Sequence, residues 1–390
     1  MTIGIIGSGA MGAGIAQVVA TAGHPVRLLD QHAEALQRAG QTIEASLRKL
    51  TEKGPLTAAE AGAAVARLHL TQDMQQFADC GLVLEAVVEE LAVKQQLFRQ
   101  LETVVSPACV LASNTSSLSI TSIAAACARP ERFIGLHFFN PAPVMQLVEV
   151  VPAVQTRAGL AAEIRELVRG WGKLPVLAQD TPGFLVNRVA RPFYGEAIRI
   201  LEEGLADVAT IDWAMTGLGG FRMGPFALMD FIGHDVNYRV TESIFAAFFF
   251  DPRYKPSFTQ KRLFEAGYHG RKSGRGFYHY APGTVLPEPT RDADLGRVIL
   301  HRILALLINE AAEALALRVA SRDDLELAMT KGVNYPKGLL AWADELGLAY
   351  VLDTLDDLYA EYHEDRYRAS PLLRRMVRNR EHFFQPNDVS

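Results

Sequence analysis

Between residues 3 and 30 the chain passes through a short apolar stretch, a glycine-rich turn, a helix-forming stretch, a second apolar stretch and an acid. Ile3-Gly4-Ile5-Ile6 reads as a buried strand ending on Gly7-Ser8-Gly9-Ala10-Met11-Gly12. Ala13 to Ala22 reads as a helix, and Pro25 to Leu29 as a second strand that closes on Asp30. Each part has a physical task in holding a dinucleotide. Gly7 permits the tight turn, Gly9 lets the backbone approach a pyrophosphate, and Gly12 lets the helix pack close to the strand. The helix start offers unpaired N–H groups and a partial positive charge to the phosphates. Ala10 and Met11 share this turn, and Gln31 follows the acid, so these three are also expected on the cofactor side. Asp30 lies eighteen residues past Gly12, where a carboxylate binds the two ribose hydroxyls of NAD. A 2′-phosphate would be repelled there, which favours NAD over NADP.

At 390 residues the chain is long enough for two or three domains. It is 49% hydrophobic and 21% charged, an ordinary globular composition. A net charge of −5 argues against a general nucleic-acid or membrane surface and leaves room for local basic pockets. Cys80, Cys109 and Cys127 form no CxxC pair and no disulfide framework, which suits a reducing compartment. A strand beginning at residue 3 leaves no room for a signal peptide, and the apolar patch 244–250 is too short to span a bilayer. A cytoplasmic location is therefore expected.

Strands and helices alternate through the first 180 residues, as a parallel sheet with crossover helices requires. Residues 33–66 look like two helices joined at Lys53-Gly54-Pro55, longer than one crossover, and so form an inserted arm. Further strands are expected at 81–87, 108–112, 133–139 and 146–151, the last two flanking Asn140-Pro141-Ala142-Pro143. Beyond Asp180-Thr181-Pro182-Gly183 helical periodicity takes over, and 281–289 is a Pro/Gly-rich linker. A shift of 114 residues lays 187–233 on 301–347 with twelve identities and no gap, where chance gives about three. The expected fold is α/β: a Rossmann-type dinucleotide domain (1–182), then two tandem all-α domains of one fold (183–284 and 290–390).

His137 stands inside the apolar strand 133–139 and Glu149 inside the strand 146–151, symmetric about Pro143. If the strands pair antiparallel, the two side chains lie opposite each other on one face. A carboxylate beside an imidazole orients the ring and raises its basicity, as a proton acceptor from an alcohol needs. A mutually satisfied structural pair is the other reading of the same residues. Ser113-Asn114-Thr115-Ser116-Ser117 follows the strand ending at Ala112, at the sheet edge from which ligand groups come. Such a loop also supplies helix caps, and both readings stay open. Asn187 follows the joint between the expected domains. Tyr268 and Lys272 satisfy YxxxK but lie far outside the nucleotide domain, and the histidines show no metal-ligand spacing, so no metal is expected.

Taken together, Ala112-Ser113-Asn114-Thr115-Ser116-Ser117, Gly135-Leu136-His137-Phe138-Phe139-Asn140-Pro141, Pro143-Val144-Met145 leading to Glu149, 180–188 and Gly224-Pro225-Phe226 resemble the 3-hydroxyacyl-CoA dehydrogenase family. The resemblance covers essentially the whole chain. It implies His137 as base, Glu149 as its partner, Ser116 on the substrate's 3-oxygen and Asn187 positioning the substrate. It also places Asn140 beside the substrate, Asn114, Glu89 and Lys94 along the NAD, and Lys53 on a CoA-contacting arm. Arg48, Lys49 and Lys53 would supply positive partners for CoA phosphates.

The implied reaction is NAD-dependent oxidation of an (S)-3-hydroxyacyl-CoA, short-chain or dicarboxylic. Alternatives are a dehydrogenase of a free hydroxy acid or sugar acid, and an NAD-binding protein without catalysis. The second helical copy has His301 at the position of Asn187 and is expected to be structural, pairing with the first copy as an intramolecular pseudo-dimer, with a homodimer as a further option. The segments 220–225 and 232–237 look most like the branch acting on 3-hydroxyadipyl-CoA, where Arg222 could meet a distal carboxylate.

Overall fold

A computed structural model describes residues 1–384. The chain divides into two compact units, one running from Met1 to Phe184 and the other from Leu185 onward.

The first unit is built on one eight-stranded sheet. Its strands are β1 (Ile3–Ile6), β2 (Val26–Leu29), β3 (Leu68–Thr71), β4 (Leu82–Glu85), β5 (Val110–Ser113), β6 (Phe133–Phe138), β7 (Leu147–Pro152) and β8 (Leu174–Leu177). Their order across the sheet is β3-β2-β1-β4-β5-β6-β7-β8, parallel throughout except for the antiparallel pairing of β6 with β7. Six helices belong to this unit: α1 (Ala10–Thr21), α2 (Ala33–Glu52), α3 (Ala58–Ala66), α4 (Leu91–Glu102), α5 (Ile120–Ala124) and α6 (Leu160–Gly170). The β1, β4 and β5 residues are nearly all buried, so they read as continuous apolar runs rather than alternating ones. Chain order reverses across β1, with β2 on one side and β4 on the other. That is the switch point where a doubly wound sheet opens a crevice at its carboxyl edge. The inserted arm is α2 and α3, joined through Gly54 at φ +90°.

The second unit is helical. It contains α7 (Val186–Val189), α8 (Arg191–Glu202), α9 (Val208–Trp213), α10 (Pro225–Ile232), α11 (His234–Ala247) and α12 (Phe258–Glu265). After an exposed segment without helix or strand at 281–288 come α13 (Ala293–Ala316), α14 (Arg322–Gly332), α15 (Leu339–Leu346), α16 (Leu348–Tyr362) and α17 (Pro371–Asn379). The long α13 packs along α8, with Ile303, Leu307, Ala311 and Ala314 buried.

The 114-residue offset recurs in this unit's hydrogen bonds. Asp212 accepts the N–H groups of Phe226 and Ala227, and Glu326 accepts those of Leu340 and Ala341. Each acid caps the start of a helix whose N-cap glycine, Gly224 or Gly338, leaves no room for a Cβ against it. Asp230 accepts from the N–H groups of Phe277 and Tyr278, and Asp344 from those of Phe383 and Phe384. Two buried ion pairs cross between the segments: Arg188 Nε to Glu310 Oε1 and Arg302 Nε to Glu196 Oε1, both 2.6 Å. The offset maps Arg188 onto Arg302 and Glu196 onto Glu310. Phe248 and Tyr362, also 114 apart, each place a ring 5.1 Å from the guanidinium of their own arginine.

Among the described residues no helix is long and apolar enough to cross a membrane, and no cluster of histidine, cysteine and acidic side chains could hold a metal ion.

Candidate active site

The carboxyl ends of β1, β2, β4 and β5 share one edge of the sheet. β1 runs into the glycine turn. Gly7 adopts φ +98°, where a Cβ would lie 2.6 Å from the Ala86 carbonyl oxygen. A Cβ on Gly12 would lie 1.8 Å from the Gly7 oxygen, so both positions require glycine for packing. Gly9 has open space where its Cβ would be, as a backbone approached by a ligand needs. The first turn of α1 carries no side-chain cap and no acid, leaving its N–H groups for an anion. Ala10 is exposed and Met11 half-buried on this turn, and Gln31 is exposed beyond β2.

Asp30 is anchored beside that turn. Its Oδ2 accepts from Ser8 N and Ser8 Oγ, both at 2.8 Å, and its Oδ1 from His32 N at 3.1 Å. Burial alone would raise this carboxyl, but the hydrogen bonds from Ser8 and His32 outweigh it and hold the group below its ordinary value. The acid is therefore ionised and fixed in place. These features fit the pyrophosphate and ribose of a dinucleotide.

His137 lies near the carboxyl end of β6, directly opposite Glu149 in the antiparallel register. Its Nδ1 is 2.5 Å from Glu149 Oε2, with Glu149 fully buried and His137 6% exposed. A carboxylate oxygen only accepts a hydrogen bond, so the ring nitrogen facing it is the donor, and the neutral tautomer with its proton on Nδ1 leaves a lone pair on Nε2. The rings of Phe139 and Phe184 pack at 4.5 and 5.9 Å from the imidazole and fix its plane. The turn between the strands is pinned by buried Lys173, whose Nζ donates to the carbonyls of Ala142 at 2.6 Å and Met145 at 2.8 Å. Asn140 is exposed on this turn.

The loop after β5 is organised by two acids from the end of β4. Glu85, fully buried, accepts from Ser113 Oγ (2.6 Å), Val87 N (2.7 Å) and Lys94 Nζ (2.5 Å). Glu89 Oε1 gathers Thr115 Oγ1, Ser117 Oγ and the N–H groups of Ser116 and Ser117 at 2.5 to 3.1 Å, with Ser116 Oγ at 3.4 Å. Desolvation opposes the charge on Glu89, but Lys94 and these hydroxyls and amides hold its carboxyl below its usual value. Asn114 Oδ1 accepts from Phe138 N at 2.8 Å, tying the loop to the residue after His137.

Several expected site residues thus take more specific places. Ser116, Asn114, Asp30, Gly7, Gly9, Gly12 and His137 with Glu149 lie along the carboxyl edge. Lys94 is 1% exposed and holds Glu85 and Glu89, so it acts behind the edge rather than on it. Ser119, not a residue of 113–117, is the N-cap of α5, joined there by Asp180, which accepts from Ile120 N and Thr121 N. Glu85 was missed, although an acid ending an apolar strand is the same signal that singled out Asp30. Asn187, half-buried on α7, belongs to the helical unit, where its carbonyl accepts from Arg191 Nε at 2.9 Å. Arg48, Lys49 and Lys53 are exposed toward the end of α2 and are not ion-paired among the described residues. Lys272 of the YxxxK match is paired to Asp235.

A largely parallel sheet with an open glycine turn at its switch point, an anchored acid beside that turn and a carboxylate-held histidine defines a dinucleotide-dependent oxidoreductase. The chain belongs to the 3-hydroxyacyl-CoA dehydrogenase family: the family's NAD binding domain matches residues 2–181, and its C-terminal domain matches 183–280 and again 298–383. It is 40% identical to the 3-hydroxyadipyl-CoA dehydrogenase of Escherichia coli, over 96% of each chain. A crystal structure of 3-hydroxybutyryl-CoA dehydrogenase from Escherichia coli superposes with a TM-score of 0.93 at 38% identity, covering 97% of this chain and 98% of that one. The human mitochondrial hydroxyacyl-coenzyme A dehydrogenase is 42% identical over 71% of this chain and 90% of its own.

Proposed function

We propose that the protein oxidises the 3-hydroxyl of an (S)-3-hydroxyacyl-CoA to the 3-oxo ester, with NAD as hydride acceptor. The observation that carries this reading is the 2.5 Å contact between His137 Nδ1 and buried Glu149 at the carboxyl edge of the dinucleotide unit. NAD, held at the glycine turn and Asp30, would supply the acceptor for the hydride of C3. His137 Nε2 takes the hydroxyl proton as the hydride leaves, and Glu149 stabilises the imidazolium that forms. The Ser116 hydroxyl hydrogen-bonds the 3-oxygen. Asn187 positions the substrate, and Asn140 lies near it. Asn114 keeps the Ser116 loop in register with His137. Exposed Arg48, Lys49 and Lys53 offer charge to the phosphates of CoA. The full-length relatives are named for a dicarboxylic and a short-chain substrate, so the acyl group is of one of these two kinds.

The test is NADH formation with 3-hydroxybutyryl-CoA and 3-hydroxyadipyl-CoA. The native protein turns over at least one of them, and His137→Gln loses about two orders of magnitude or more in kcat, the usual contribution of a general base, while NAD binding persists. Near-native turnover by His137→Gln would overturn the assignment.

We further infer that the helical unit is two copies of one domain arranged as an internal pair, boundaries near 183–284 and 290–390, the second copy replacing the partner subunit of a two-fold dimer. The reciprocal bridges Arg188–Glu310 and Arg302–Glu196 support this, because a two-fold contact repeats each pairing with the roles exchanged. His301, at the Asn187 position, bonds Tyr350 at 2.6 Å, as a structural residue would.

A further inference from the structure

Five arginines are buried among the described residues, and four of them are paired with acids. Arg132 pairs with Glu102, Arg188 with Glu310, Arg302 with Glu196 and Glu203, and Arg366 with Glu364. Arg191, 7% exposed on α8, is the exception. Its Nε donates to the Asn187 carbonyl and its Nη1 to Thr241 Oγ1 at 3.1 Å, and its guanidinium lies 4.9 Å from the Tyr194 ring centre. No carboxylate balances it. A buried guanidinium without a counter-charge carries a large desolvation cost, which a bound anion would offset.

Arg191 lines a cavity of about 380 Å³ in the helical unit. Arg191, Arg199, Arg253, Lys255, Lys261 and Arg366 line that space with three acids. Four of these basic residues are balanced from outside the lining, Arg199 and Arg366 by Glu364, Arg253 by Asp251 and Lys261 by Glu265. That leaves buried Arg191 and exposed Lys255 without an acid partner among the described residues. Two of the three lining acids, Glu196 and Glu310, are already taken by Arg302 and Arg188. The third, Glu202, accepts from Thr259. The walls also carry Phe245, Leu306 and Pro192, apolar surface for a methylene chain. Close enough to Arg191 to act on it electrostatically is Tyr335, whose hydroxyl is buried without a hydrogen-bond partner. Desolvation lowers the Arg191 guanidinium below its ordinary value, the direction expected of a cation awaiting an anion.

We propose that this cavity is a carboxylate-binding subsite built on Arg191. One buried uncompensated positive charge, flanked by neutral hydroxyls, matches a single negative charge, and a guanidinium meets a carboxylate through parallel N–H donors. The carboxylate has two sources. It is either a free small dicarboxylate acting as an effector, or the far end of a dicarboxylic acyl chain. The second source rests on the function proposed above, and the first does not. Arg222, in the glycine-rich loop before α10, is exposed and is the other arginine that the sequence offers for a distal carboxylate, so its substitution tests that rival assignment.

The experiment titrates free adipate, with butyrate and inorganic phosphate for comparison, into the native protein, Arg191→Met, Tyr335→Phe and Arg222→Met by calorimetry. The same four proteins are assayed on 3-hydroxyadipyl-CoA and 3-hydroxybutyryl-CoA. Saturable adipate binding that Arg191→Met weakens by about tenfold or more, and Arg222→Met leaves alone, supports the subsite. A rise of similar size in KM for the adipyl ester alone assigns it to the acyl chain, and unchanged KM for both esters assigns it to an effector. Tyr335→Phe keeps the guanidinium and gives a smaller loss, which covers a failure of Arg191→Met to fold. Absence of adipate binding together with unchanged KM in Arg191→Met overturns the proposal. A native protein inactive on both esters overturns the proposed function instead, with adipate binding still deciding the subsite.

Discussion

The two reciprocal bridges of the helical unit should not be equally costly to break. In Glu310→Gln the neutral amide leaves Arg188, 1% exposed, with no acid at all, and Arg253 Nη1, 3.6 Å away, also loses a charge partner. Removing one member of a buried pair typically costs about 3–5 kcal/mol, most of it the stranded charge. Glu196→Gln is milder, because Arg302 keeps Glu203 on both Nη1 and Nη2 at 2.8 and 2.9 Å. Its cost should be near that of one charge-assisted hydrogen bond, about 1.5–2 kcal/mol. Urea denaturation followed by tryptophan fluorescence reads the difference, since Trp213 and Trp342 lie in this unit and Trp171→Phe silences the remaining indole. Glu310→Gln should lose at least about 1.5 kcal/mol more than Glu196→Gln. Arg188→Met combined with Glu310→Gln should recover part of the loss, because no charge is then stranded. Equal losses in the two single variants, or a double variant no better than Glu310→Gln, would refute the reasoning.

Three further outcomes are expected. Asp30→Ala should weaken NAD binding about tenfold or more and narrow the gap to NADP; equal use of the two cofactors by the native protein would contradict the anchored-acid reading. Burial pushes the Asp212 carboxyl up to about 6, so the folded protein keeps a proton that the unfolded chain releases near its ordinary value of 3.8. That stabilisation, about 3 kcal/mol, is fully present below about pH 4 and lost as pH rises through 6; melting temperatures across this range should fall less in Asp212→Asn. Ending the chain at residue 284 should expose the α8 face that α13 covers and give insoluble protein or a new dimer by light scattering, whereas an active monomer would argue against an internal pair.

The pairing of His137 with Glu149 was legible because the two polar residues interrupt apolar strands at positions fixed by one turn. Antiparallel pairing about Pro143 is arithmetic, and the register of His137 with Glu149 follows from it. The glycine turn was legible because Gly7 and Gly12 answer steric demands that no other residue meets, and Asp30 because it closes an apolar strand at a fixed distance from that turn. The two strands that were not anticipated, β3 and β8, lie at opposite edges of the sheet. An edge strand has less to bury, so β3 keeps two exposed residues in four and β8 carries Pro175, which weakens any strand pattern. The grip of Glu89 on the serine loop was not legible, since it depends on β4 and β5 being neighbours rather than on any local spacing. The unpaired state of Arg191 is likewise a property of what surrounds it, and Arg191 looks like any other helical arginine in the sequence.

In two identical chains, a single codon writes both copies of a two-fold contact, and any change is felt twice. Here Arg188 and Arg302 are written separately, as are Glu196 and Glu310. One bridge can be retuned while the other stays as it is, and the present asymmetry, with Glu203 and Tyr362 gathered around Arg302 and Arg253 placed beside Glu310, is a difference that identical subunits could not hold. The strength of the contact is also independent of how much protein is present, so dilution that would separate two chains leaves this one whole.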